Sequence, residues 1–101
     1  MNQLTENNPW IWVMVQGEAG NEHYVGQHDA ESEISFVPGF FSKEDALKSY
    51  HLIQKDSGVK YEVQAIRFKE LSKDCKENGF MIFILDGEGK IVEKITPGKT
   101  R

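Results

Sequence analysis

Trp10-Ile11-Trp12-Val13-Met14-Val15 and Phe80-Met81-Ile82-Phe83-Ile84-Leu85 are unbroken apolar runs, and neither alternates as a strand with one wet face would. Such runs read as strands that are central in their sheet and need cover on both sides. Working outward from them, the rest of the chain offers two helices for that cover. The shortfall points to a binding surface for a partner or for a second copy of the chain.

Between the runs lie shorter signals. Gly17 to Asn21 reads as a loop, Glu22 to Gly26 as a polar edge strand returning in a hairpin, and Gln27 to Ser32 as an acidic surface loop. Ile34 to Val37 reads as a brief strand broken by Pro38-Gly39. Ser42-Lys43-Glu44-Asp45 is a helix start, since the Ser42 hydroxyl can accept from an amide in the first turn, where acids are also favoured. That helix is expected to reach about Asp56, with Ala46, Leu47, Tyr50 and Ile53 forming its buried stripe and Ser57-Gly58 stopping it.

Tyr61 to Arg67 alternates as a strand, with Tyr61, Val63, Ala65 and Arg67 on one side. Phe68, Leu71 and Cys75 mark a second helix over Lys69 to Glu77, ended by Asn78-Gly79. Asp86-Gly87 then signals a hairpin from Phe80–Leu85 into Lys90–Ile95. The fold expected is α+β: a single mixed, mostly antiparallel sheet of about five strands, with two helices on one face. One domain over 9–96 is flanked by a flexible tail at 1–8 and a flexible basic tail at 97–101.

Charge and cysteine content narrow the function. A net charge of −4 opposes a phosphate backbone, whose sequence-independent attraction is for Lys and Arg, so no nucleic acid is expected as partner. Asn78-Gly79-Phe80-Met81-Ile82-Phe83 likewise departs from an RNA-recognition strand, having Asn78 where a basic residue belongs and Met81 where a small one does. Cys75 is the single cysteine, which forms no internal disulfide and fits a reducing compartment. The apolar runs are far short of the ~20 residues that cross a bilayer, and 1–8 lacks a basic segment followed by an apolar one. A cytoplasmic protein without membrane partners is expected.

Candidates for chemistry are few. Cys75 lies on the apolar stripe of the second helix and reads as a small buried hydrophobe. His23 and His28 with Asp29 could lend ligands to zinc, but on loops they read as surface residues. Asp86, Glu88 and Lys90 occupy the first, third and fifth places of a calcium loop, and the cation at the fifth repels the metal. No metal and no cofactor is expected. Tyr50 and His51, at the edge of the first helix's stripe, are the best-placed pair for a small-ligand pocket or acid–base site.

Phe36-Val37-Pro38-Gly39-Phe40-Phe41-Ser42-Lys43-Glu44-Asp45-Ala46-Leu47 resembles the segment of the SseB N-terminal-like family in which a strand ends in a Pro-aromatic pair and a capped helix begins. The resemblance implies a small bacterial α+β domain without an established catalytic site, and it carries over no functional residues. The reading favoured by the residues is a non-enzymatic interaction module, self-associating through an apolar sheet face that includes Trp10, Trp12, Met14, Met81 and Phe83.

Overall fold

The computed structural model describes residues 7–17, 22–51 and 58–97. Its elements are β1 (Trp10–Gln16), β2 (His23–Tyr24), β3 (Gln27–Asp29), β4 (Ile34–Phe40), α1 (Lys43–Tyr50), β5 (Tyr61–Arg67), α2 (Phe68–Asn78), β6 (Met81–Leu85) and β7 (Ile91–Ile95). The fold is α+β with one mixed sheet. Only β4 and β6 run parallel; the other neighbouring strands are antiparallel.

Seven strands stand where about five were expected, because β2 and β3 fill a wedge. β1 meets β4 only at Trp12–Phe40 and Val13–Gly39. Beyond that point the two strands part, β1 pairing with β2 at Val15–Gln16 and β4 with β3 at Ile34–Phe36. The supposed acidic loop therefore begins as strand, and only its end turns, with the Asp29 carboxylate accepting from the Glu31 amide and the Ser32 hydroxyl.

Pro38-Gly39 does not break β4. On the edge facing β1 and β3, Val37 and Pro38 fall between the two pairings, the place in a strand where a residue without an N–H is tolerated. Gly39 has a separate role. A Cβ there would lie 2.9 Å from Ile11 Cγ2 and 3.2 Å from Ile84 Cδ1, so its bare Cα lets β1 and β6 side chains meet across β4.

One face of the sheet carries the main core, where Ile11, Val13 and Val15 of β1 cluster with Val37, Ile82, Ile84 and Ile95 beneath Phe68, Leu71 and Cys75 of α2. Lys43, the first residue of α1, instead places its ammonium 5.7 Å from the Trp12 ring centroid, on the opposite face of β1. Both helices were expected on one face. The strand order gives the reason for the difference: β4 to β5 crosses toward one edge and β5 to β6 toward the other, and right-handed crossovers in opposite directions lie on opposite faces.

Both helix starts depend on side-chain caps, but from different sources. Ser42 Oγ accepts the Asp45 amide at 3.1 Å, as the sequence suggests. The expected extension of α1 to Asp56 lies outside the described residues, as do Ile53 and Ser57. Within α1, Ala46 and Ser49 are buried while Leu47 is 47% exposed, so the buried stripe is shifted from the expected one. Ser49 is accommodated because its hydroxyl donates to the Asp86 carbonyl at 3.3 Å, leaving no unpaired polar group.

α2 has no cap from its own N-terminal residue; Asn8 Oδ1 accepts the Lys69 amide at 2.9 Å, and the Pro9 carbonyl accepts from Phe68. Asn8, expected in a loose tail, is thus tied to the fold. The β6–β7 turn also differs in detail: its positive φ falls on Gly89, at 83°, and the Asp86 carboxylate accepts the Glu88 and Lys90 amides at 2.9 Å. This is a longer loop than a two-residue Asp-Gly hairpin.

Gly39→Ala should destabilise the protein by about 1–3 kcal/mol, the range for overpacking a filled core, as measured by chemical denaturation. Asn8→Ala should cost about 1 kcal/mol through loss of the α2 cap, with the m-value unchanged.

Candidate functional site

Register places all five residues of the expected interaction face on one side of the sheet. Trp12 is opposite Phe40, Phe36 is opposite Met81 and Pro38 is opposite Phe83, and directly paired residues share a face. They are not equally available. Trp10 is 52% exposed, Trp12 and Met81 are half-buried, and Met14 and Phe83 are buried at 3% and 4%.

The buried members are held inside the chain. Phe83 stacks on Phe36 with centroids 4.3 Å apart and planes 16° apart, and the Lys94 ammonium lies 5.4 Å from its centroid. The accessible remnant of the face therefore centres on Trp10. Its ring is covered at 4.3 Å by the Arg67 guanidinium, a cation–π contact between directly paired residues of β1 and β5. Arg67 is itself anchored, donating from Nη1 to the Asn8 carbonyl at 3.0 Å.

Tyr50 is half-buried and His51 exposed, their rings edge to face with centroids 5.7 Å apart. His51 is also the C-cap of α1, its amide donating to the Ser49 carbonyl. Residues 52–57, which follow this pair, lie outside the described residues. A groove of about 530 Å³ instead opens between α2 and the β5 edge, and Tyr24, Gln64, Ile66, Glu70 and Asp74 are among its lining residues.

Sequence reasoning missed this groove, since its central contact joins residues 50 apart. Tyr24 Oη donates to Asp74 Oδ2 at 2.6 Å. Burial, and then the hydrogen bond and charge of Asp74, raise the Tyr24 hydroxyl above its ordinary value of 10.0. The phenol stays neutral and donating at physiological pH. Around it, Gln64 Nε2 donates to Glu62 at 3.0 Å, and Gln16 Nε2 lies 2.8 Å from His23 Nε2. A tyrosine in a polar strand was the only visible signal.

Cys75 faces the core and not the groove. Burial, with a smaller contribution from the Asp74 charge, pushes its thiol up to about 12, so it does not form a thiolate at neutral pH. Among the described residues no group of three His, Cys, Asp or Glu side chains is placed to hold a metal ion. No described helix is long and apolar enough to cross a membrane.

Comparison with family models, curated proteins and solved structures gives no match.

Tyr24→Phe should cost about 1 kcal/mol at pH 7, the usual worth of one hydrogen bond. The unfolded chain ionises Tyr24 near its ordinary 10.0 while the folded chain keeps it neutral. This contribution is therefore intact below that pH and lost as pH rises beyond it, and the variant should show a shallower alkaline loss of stability in denaturant titrations. A thiol reagent at pH 8 should label Cys75 only at the rate of protein opening, so added denaturant should accelerate labelling steeply.

Proposed function

We propose that this chain is a non-enzymatic interaction module that associates with a second copy of itself through the Trp10 side of its sheet. The observation that carries the reading is Trp10, exposed over half its surface yet fixed in place by the Arg67 guanidinium 4.3 Å from its ring. Tryptophan and arginine are the residues most enriched at interface hot spots. A pair already ordered in the free chain loses less side-chain freedom on binding than two mobile groups would.

Binding suits the inventory better than catalysis. The one thiol is buried and held protonated at neutral pH, and His23, His28 and His51 are exposed at separate points of the fold. Trp12 and Met81, both half-buried on the Trp10 side of the sheet, extend the surface; Met14 and Phe83 support it from within.

Sedimentation velocity across roughly 1 to 100 µM should resolve a concentration-dependent dimer. Trp10→Ala should weaken it at least about tenfold, as expected for a hot-spot tryptophan. A wild-type chain that stays monomeric throughout would overturn the reading.

A further inference from the structure

The groove between α2 and β5 offers this chain a second kind of binding, one that does not depend on self-association. Gln64 pairs with Val13 and Ile66 with Ile11, and directly paired residues share a face, so both side chains stand on the side of the sheet that α2 covers. Glu70, Asp74 and Asn78 follow at intervals of four along α2, which stacks them on one face of the helix. Tyr24 and Ile66 are half-buried, pack against the core and still line the groove. Its volume of about 530 Å³ is that of a small-molecule site.

Hydrogen-bonding groups along the groove are unevenly spent. Tyr24 Oη donates to Asp74 Oδ2 at 2.6 Å, Gln64 Nε2 to Glu62 at 3.0 Å and to Glu22 at 3.5 Å, and Asn78 Nδ2 to the Asp74 carbonyl at 2.9 Å. Arg67, the one Lys or Arg among the described lining residues, is turned to the Trp10 ring and the Asn8 carbonyl. The acceptors are left open. Among the described residues no cation pairs with Glu22, Glu70 or Asp74. Glu70 and Asp74 are like charges one helical turn apart, an arrangement that disfavours the helix. After burial and the Asp74 hydrogen bond, the charges of Asp74 and Glu70 both favour the neutral form of Tyr24, so the groove carries a negative field.

That pattern selects a ligand class. An anion would meet carboxylates. A metal ion is poorly served, since among the described residues no three acids or other ligating side chains are placed around one point. A longer molecule that is positive at more than one place, rich in donors and apolar in between, matches the separated acids and the Ile66 surface. We propose that the groove binds a small organic dication, an alkyl chain with two ammonium groups, one held by Glu70 and Asp74 and the other by Glu22. Each ammonium brings three donors and no acceptor, the complement of what the groove leaves unsatisfied. Asp74 Oδ1 takes the first ammonium while Oδ2 keeps the Tyr24 hydroxyl, and the alkyl chain lies over Ile66.

Cadaverine, a five-carbon diamine, is the probe, followed by two-dimensional amide NMR at low salt. It should shift the backbone amides of Ile66 and Asp74 and the side-chain amides of Gln64 and Asn78, with a Kd on the order of 1 mM for so small a ligand. Pentylamine, with one ammonium, should bind about threefold more weakly, and pentanol and glutarate should leave the spectrum unchanged. Glu70 is exposed and accepts no hydrogen bond among the described residues, so Glu70→Gln should fold normally yet weaken cadaverine about tenfold, the worth of one charge-assisted contact. Glu31→Gln removes the same charge from an exposed turn outside the groove and should leave binding intact. Equal losses from the two variants, shifts centred on the acidic turn from Asp29 to Glu33, or no shift at ~10 mM cadaverine would overturn the site. A lysine-containing peptide that binds the groove more tightly than cadaverine would overturn the small-molecule assignment. None of these outcomes touches self-association, which sedimentation reads separately.

Discussion

The structure depends on one strand satisfying its backbone along both edges. β1 is paired over its whole length with β5 on one side, and on the other it divides its bonds between β4 and β2. A buried amide without a partner is costly, so a fully apolar strand can sit in the interior only if its neighbours complete this ladder. The wedge of β2 and β3 follows from that requirement: where β4 twists away, another piece of chain takes up the bonds, including the Val25 amide to the Met14 carbonyl at 2.9 Å.

With β1 fixed, the faces take different roles. The Ile11 side is closed by α2, whose helix begins on a cap from Asn8, just ahead of the strand paired with β5. The opposite side is built from aromatic and polarizable residues and is covered unevenly, tightly at Met14 and Phe83 and openly at Trp10. Arg67 links the open part to the N-terminal strand through Trp10 and Asn8. The accessible indole thus sits on the β1–β5 pair, opposite Arg67.

Much of the candidate surface was visible before the fold. The apolar run Trp10 to Val15 announced a central strand, and alternation sorted Trp10, Trp12 and Met14 onto one side, as the register bears out. Alternation carries no information about cover, however. It cannot tell that Phe36 stacks on Phe83 or that Met14 is sealed while Trp10 is not. The Tyr24–Asp74 bond was invisible for a related reason, since neither residue has a local pattern that demands the other.

Local chemistry was determined by the sequence itself: the extent of β1 and β5, the Ser42 cap, the left-handed Gly79 with φ 78° and the apolar stripe of α2 at Phe68, Leu71 and Cys75 all rest on interactions within a few residues. Tertiary structure alone decided that Pro38-Gly39 continues a strand, that β5 lies beside β1 and that the crossovers run in opposite directions. Each of these depends on which strand lies beside which. Strand neighbours are chosen by the total burial and hydrogen bonding of the sheet, a sum over distant segments that no local spacing encodes.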